Sequence, residues 1–342
     1  MTLSQRIEIF AKFGEILLKK LRSDEDFNVI INELQFSNPF FTPLNVKFAI
    51  ENIAGNLTFE NLKNWVSLYS DLQNFAGNQK IGVILAGNIP LVGFNDFLCV
   101  LISGNIFIGK MSSKDEKLLE IFANFLIEIE PSFAEKIYFE KKFLKNFDKI
   151  IATGNNNSAR YFEYYFGKYP NVIRKNRTSV AVLSGKESEE ELLNLADDIF
   201  LYFGLGCRNV GKLFVPQGFD VKNLFEKYQK TKFFGYRFHN RYANNYDYRK
   251  AIFLMNQEKF FDLEFVLLQE NTNLFSPTSV IFYEYYNEIN EVKRKMESFQ
   301  ESIQCVVSNI ENFDNKISFG EAQKPKLSDY SDNIDTLKFL IS

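Results

Sequence analysis

One cysteine stands in a glycine-rich turn, in the run Tyr202-Phe203-Gly204-Leu205-Gly206-Cys207-Arg208-Asn209-Val210-Gly211-Lys212. An acidic amphipathic segment leads into it. An apolar run, residues 213–216, leaves it as a strand. Glycines at 204, 206 and 211 let the backbone take positive φ and approach a ligand closely. Backbone N–H groups and a fixed cation such as Arg208 lower a thiol's pKa, and the thiolate is the nucleophile. By itself the window reads equally as a tight turn around a small apolar residue. Cys99 and Cys305 lie in apolar runs and read as core packing. Three cysteines so far apart make no disulfide framework. No Cys-x-x-Cys or histidine cluster suggests a metal. The one histidine, His239, is the sole candidate base of its type, and a surface or structural role is expected for it.

Such a thiol needs elements that carry other groups to it. Residues 81–87 form a short apolar strand, and Asn88-Ile89-Pro90 opens a loop. A buried helix over 94–103 ends at Gly104. A second strand, 106–110, ends at Lys110, and Met111-Ser112-Ser113 turns into an amphipathic helix through 129. This order implies a parallel sheet with right-handed crossovers. Ligands in such sheets sit at the carboxyl ends of strands, where Asn88 and Lys110 both fall. A third strand, 149–154, opens through Thr153-Gly154 into Asn155-Asn156-Asn157-Ser158 and a helix. A helix start offers N–H groups to phosphate; an ordinary capping turn is the simpler reading of the same residues. Two extended pieces over 172–183 flank Arg174-Lys175-Asn176-Arg177, a turn that either meets an anion or is simply solvated. Beyond Cys207 the alternation repeats, with strands over 279–285 and 303–307 and helices over 221–230 and 291–302.

The helical segment 1–75 starts one helix at Thr42-Pro43 and shows no site chemistry. Ser188 and Glu191 form a capping box that opens the helix before the cysteine loop. The expected organisation is therefore a helical segment 1–75 packed on a first α/β domain 76–186, a second α/β domain 187–310 carrying Cys207, and a tail 311–342. Over 342 residues, 46% hydrophobic and 24% charged content is ordinary for a globular chain. The net charge of −3 gives nucleic acid no hold. The 38 phenylalanines read as core filling. Residues 81–109 have one charge, Asp96, but break into soluble elements, so no membrane span is expected. The N-terminus, Met-Thr-Leu-Ser-Gln-Arg, leads into a charged amphipathic helix, so no signal peptide is expected, and a reducing cytoplasm is the simplest setting.

Ala86-Gly87-Asn88-Ile89-Pro90, Ile108-Gly109-Lys110-Met111-Ser112-Ser113, Ala152-Thr153-Gly154, the Cys207 loop and Asn273-Leu274-Phe275-Ser276-Pro277 follow one another in an order that resembles the aldehyde dehydrogenase superfamily. The chain is most similar to its acyl-CoA reductase branch, the reductase of luciferase-associated fatty acid reduction, nearly end to end. The resemblance implies two Rossmann-like α/β/α domains with parallel sheets behind an N-terminal helical segment. It implies NADPH as cofactor and an acyl-CoA or acyl-carrier thioester, of fatty type, as substrate, reduced to aldehyde through an acyl-enzyme on Cys207. Asn88 matches the asparagine that donates to the oxyanion, with the Cys207 N–H as second donor. Lys110 matches the lysine at the adenosine ribose or its 2′-phosphate, with Ser112 and Ser113 following. Thr153-Gly154 matches the turn at the pyrophosphate and Phe275 the aromatic beside the nicotinamide ribose. There are departures. The glutamate that activates water in acid-forming relatives falls by eye in Ile173-Arg174-Lys175-Asn176, which holds no carboxylate, and the glutamate two residues before Phe275 is Asn273. The first fits thioester exchange in place of hydrolysis; Arg174, Lys175 and Arg177 then become further phosphate candidates. Aldehyde oxidation, a cysteine acyltransferase without nicotinamide, and a structural subunit are the competing readings. A homo-oligomer is expected.

Overall fold

Short apolar runs bounded by glycine and polar turns become the strands of two parallel sheets. The computed structural model describes residues 1–115, 117–311 and 313–342. In the first sheet β1 (Lys80–Ile84), β2 (Ile106–Lys110), β3 (Ile137–Phe139), β4 (Lys149–Thr153) and β5 (Asn171–Arg174) run in the order β3-β2-β1-β4-β5, all parallel. The order reverses between β1 and β4. In sheets of this kind ligands sit beyond the carboxyl ends of the strands at such a reversal.

The second sheet holds β6 (Thr178–Val182), β7 (Val210–Pro216), β8 (Phe261–Asp262), β9 (Leu267–Glu270), β10 (Val280–Tyr286), β11 (Ile303–Val307) and β12 (Lys316–Ile317). Their order is β12-β11-β6-β7-β10-β9-β8, parallel except for the β8–β9 pair. The β6 and β7 strands are buried almost throughout, as strands covered on both faces must be.

The chain divides into a unit of residues 1–176 with 326–342 and a unit of residues 177–325. The boundary expected at 186/187 thus lies between Asn176 and Arg177, because β6 takes its hydrogen-bond partners from β7 and β11. The expected tail is also two things. Its end returns to the first unit as the helix Thr336–Ile341. Trp65 Nε1 donates to Tyr330 Oη at 2.8 Å, and Lys149 Nζ donates to the Phe339 and Ser342 carbonyls at 2.9 and 2.6 Å.

The N-terminal helices Leu3–Ser23, Glu25–Ser37, Pro43–Asn56 and Phe59–Ser67 share one core with the first sheet's helices. Phe13 meets Phe94 and Phe122 with ring centroids 6.3 and 5.7 Å apart, and Phe10 meets Phe133 at 5.9 Å. Buried Arg6 donates from Nε to the Ile102 carbonyl at 2.8 Å, closing the end of the helix Phe94–Ile102 that follows the Asn88 loop. Residues 81–109 resolve into β1, that helix and β2; among the described residues no helix is long and apolar enough to cross a membrane.

Candidate active site

In the first unit, Asn88 occupies the half-buried loop beyond β1. Leu85 N–H donates to the Lys110 carbonyl at 3.1 Å, so the β1 and β2 ends stay joined where they leave the sheet. Gly87 stands so close to the β2 exit that a Cβ on it would lie 2.6 Å from Ser112 Oγ. The Asn88 loop and the Ser112 turn are therefore packed as one surface. Ser112 Oγ also accepts from Lys114 N–H at 3.3 Å, whereas Ser113 is exposed. Lys110 is half-buried at the end of β2, its ammonium 5.9 Å from the Phe143 ring centroid. Beneath the turn, burial pushes the Asp115 carboxyl up to about 6, against N–H groups of Leu118 and Leu91 that favour its charged form.

Thr153 ends β4. The Gly154 N–H is spent on the Arg174 carbonyl at 3.2 Å, and the Asn155 side chain caps the helix Asn156–Phe166 by accepting from Ser158 N–H at 2.8 Å. The capping reading of this turn holds. Lys110, Ser112, Ser113 and Thr153 stand at these strand ends, and Asn156 and Asn157 are exposed residues in the first turn of the helix that follows β4. That donor set suits an anionic dinucleotide.

The basic turn does not gather at these strand ends. Arg174 is buried and bidentate on Asp96, at 2.6 and 2.8 Å, with a further bond to Thr336 Oγ1 at 2.8 Å. Burial opposes its charge; Asp96 outweighs that, and the guanidinium pKa is raised. Arg174 is thus a structural cation that joins β5, the helix after the Asn88 loop and the returning C-terminal segment. Lys175 pairs with Glu163 at 2.9 Å on the surface, and Arg177 donates to the Ile303 carbonyl at 3.1 Å within the second unit. Their candidacy as phosphate contacts falls for Arg174 because its fork is filled, and nothing gathers the other two beside it.

In the second unit, the helix Glu189–Phe200 begins with the Ser188/Glu191 capping box and ends at an abrupt left-handed turn. Tyr202, Phe203 and Gly204 take φ of 55°, 59° and 72°. Left-handed backbone was expected at glycine; two aromatic residues adopt it as well, at ~1–2 kcal/mol each. Buried Asn209 holds the turn, accepting from Gly206 N–H at 2.8 Å and donating to the Leu201 carbonyl at 2.9 Å. Ser179 Oγ on β6 donates to the Cys207 carbonyl at 3.0 Å and lies 3.0 Å from Cys305 Sγ. Arg208 Nε donates to the Ala322 carbonyl at 2.8 Å. The same loop, 320–322, donates two N–H groups to buried Asp198, whose carboxyl burial nonetheless pushes up to about 7.

None of the three thiols is in a disulfide. Burial raises Cys99 well above its usual value and pushes Cys305 up to about 11, so both are protonated at neutral pH. Cys207 alone is not buried. Gly211 admits the loop that carries Phe275: a Cβ there would lie 3.0 Å from Ser276 Oγ. Buried Lys212 grips the same loop through the Asn271 and Asn273 carbonyls, at 2.6 and 3.3 Å, and pairs with Glu284 at 2.6 Å. Phe275 itself is exposed while Leu274 is buried. His239 caps the helix Asn240–Met255, its Nδ1 accepting from Tyr242 N–H at 3.4 Å, and lies against Phe203 at 4.4 Å. The cap confirms a structural role. Asn209 and Ser179 were not singled out from the sequence; a Cys-x-Asn spacing in a turn was the available signal for the first.

These two sheets with their strand-end loops define an aldehyde dehydrogenase fold. Aldehyde dehydrogenase 21 from Physcomitrella patens, in complex with the reaction product succinate, superposes with a TM-score of 0.68 at 12% identity, over 100% of this chain and 84% of that one. The NAD+ complex of a Bacillus cereus aldehyde dehydrogenase gives 0.62 at 12% identity, over 92% and 73%. A Pseudomonas syringae aldehyde dehydrogenase C variant bound to NAD+ and octanal gives 0.61 at 10% identity, over 92% and 78%. Within that fold, the chain belongs to the acyl-CoA reductase (LuxC) family, whose model matches residues 25–228. It is an oxidoreductase acting on acyl and aldehyde groups. No curated protein sequence matches it.

Proposed function

We propose that this enzyme reduces an acyl thioester, of CoA or of an acyl carrier, to the aldehyde with NADPH through an acyl-enzyme on Cys207. The observation that carries the reading is the contrast among the thiols. Cys207 lies in a strained, anchored turn, while Cys99 and Cys305 are buried and protonated. The Cys207 thiolate attacks the thioester carbonyl, and the C–S bond to the CoA or carrier sulfur breaks as that thiolate leaves. The Cys207 N–H and the Asn88 amide donate to the transient oxyanion; removing one such donor elsewhere costs roughly 100-fold or more. Lys110, Ser112, Ser113 and Thr153 hold the dinucleotide, with the Gly154 turn beside its pyrophosphate, and Phe275 flanks the nicotinamide ribose. Bound NADPH supplies the hydride that converts the acyl group to an aldehyde. The Cys207 sulfur then departs as thiolate, ready for another cycle.

Hydrolysis of the acyl-enzyme is disfavoured, because the strand matched to the water-activating glutamate of acid-forming relatives holds no carboxylate. Strand β5 carries Asn171, Val172, Ile173 and Arg174, none a carboxylate. Mixing enzyme with acyl-CoA alone is therefore expected to give a stoichiometric acyl-enzyme and little fatty acid; adding NADPH should then release aldehyde. A panel of acyl-CoAs of different length, followed by NADPH consumption, finds the preferred chain. Rapid multiple-turnover release of acid without NADPH would overturn the reading and point to a thioesterase or an oxidising dehydrogenase.

Lys110 supplies the preference for NADPH. Lys110 is a cation at the end of β2, followed in the chain by the hydroxyls of Ser112 and Ser113, a composition suited to a 2′-phosphate. Lys110→Ala should raise KM for NADPH by more than it raises KM for NADH. Equal losses for both would leave the lysine at the ribose alone.

A further inference from the structure

We propose that Asn209 is the positioning residue of the Cys207 loop, holding its strained left-handed turn closed from both ends. The inference rests on Cys207 being the nucleophile. Tyr202, Phe203 and Gly204 are consecutive left-handed residues, and only the last is a glycine. For bulky aromatic residues that conformation is an outlier, which persists only where the surroundings over-determine it. Relaxing the turn would swing residues 205–207 and carry the thiol with them.

The Asn209 side chain brackets that strain. Its Nδ2 donates to the Leu201 carbonyl at 2.9 Å, the last residue before the strained pair. Its Oδ1 accepts from Gly206 N–H at 2.8 Å, the residue just before Cys207. The same Nδ2 reaches the Asp198 and Ile199 carbonyls at 3.2 Å each, near the end of the helix Glu189–Phe200, where carbonyls lack partners within the helix. Asn209 is 3% exposed, so these bonds are made away from water and each lost partner would be felt. On the far side of the thiol, the Cys207 carbonyl is taken by Ser179 Oγ. Ser179 Oγ in turn accepts from Cys305 N–H at 3.2 Å. The backbone is thus tied immediately before the nucleophile by Asn209 and immediately after its Cα by Ser179. An amide serving only stability could sit anywhere in the core; this one joins the rigid helix end to the residue preceding the thiol.

Asn209→Ala removes all of these bonds, and Asn209→Ser is a milder truncation. Both variants are compared with wild type in single-turnover acylation of Cys207 by the acyl-CoA that wild type uses best, with amide hydrogen exchange and thermal melting alongside. A reacting group misplaced by about 1 Å loses roughly 100-fold in rate. The expected result is a fall of roughly 10- to 100-fold in the acylation rate constant per folded enzyme, with KM for the acyl-CoA changed less than about threefold. Exchange should quicken over 202–208 and stay as in wild type on β6 and β7. A wild-type acylation rate in folded variants overturns the proposal. So does an activity loss that only follows the folded fraction with protection lost evenly, or failure of both variants to fold, since each makes Asn209 a general fold determinant. Acylation of a folded Cys207→Ala protein would instead remove the underlying reading, whatever the Asn209 variants do.

Discussion

Cys207→Ala is expected to abolish acyl-enzyme formation and to lower turnover by roughly 10⁴-fold or more, the scale on which loss of a covalent nucleophile is felt. The thiolate is the reactive form, so a thiol kept protonated by burial contributes nothing as a substitute. Cys305 is the nearer rival, since Ser179 Oγ touches both its Sγ and the Cys207 carbonyl. Yet burial pushes Cys305 up to about 11, and it is 1% exposed within β11. Cys99 is fully buried in the helix Phe94–Ile102, with Asn95 Oδ1 at 3.5 Å from its sulfur. Cys99→Ala and Cys305→Ala should therefore still take up one acyl group from labelled acyl-CoA. Intact-protein mass after mixing without NADPH reads this directly. A folded Cys207→Ala protein that gains a stable acyl group would place the nucleophile elsewhere.

The parts of this site that were legible in the sequence are those with local causes. β1, β2 and β4 are short apolar runs that stop at a polar turn, and helix starts at Thr42 and Ser188 carry their own capping side chains. Long-range partners leave no such mark. β5 and β6 are adjacent extended pieces, and only their hydrogen-bond partners assign them to different sheets. The helix Asn240–Met255 was hidden for another reason. It buries Tyr242, Tyr246 and Phe253 but exposes Tyr248, Leu254 and Met255, so its apolar residues do not keep to one face. The left-handed aromatics at 202 and 203 run against residue preference altogether; they are held by the loop's tertiary bonds, and strain of that kind gathers at functional sites. The basic turn misled because charge in a loop says nothing of where a side chain points, and Arg174 points inward.

That inward arginine gives the second large effect. Arg174→Met is expected to lower the stability of the first unit by ~3–5 kcal/mol, the usual cost of breaking a buried ion pair by removing one partner. Both side chains are almost fully withdrawn from water, at 3% and 7% exposure, so the lone Asp96 carboxylate would be left unsolvated. At about 2–4 °C per kcal/mol for a unit of this size, the melting temperature should fall by roughly 6–20 °C. Adding Asp96→Leu should recover much of the loss, since a buried pair replaced whole by apolar groups is often neutral. The KM for NADPH of the folded single variant should change little, because the guanidinium is spent on Asp96 and Thr336. A variant that melts like wild type but loses NADPH affinity selectively would return Arg174 to the phosphate and remove it from the structural role argued here.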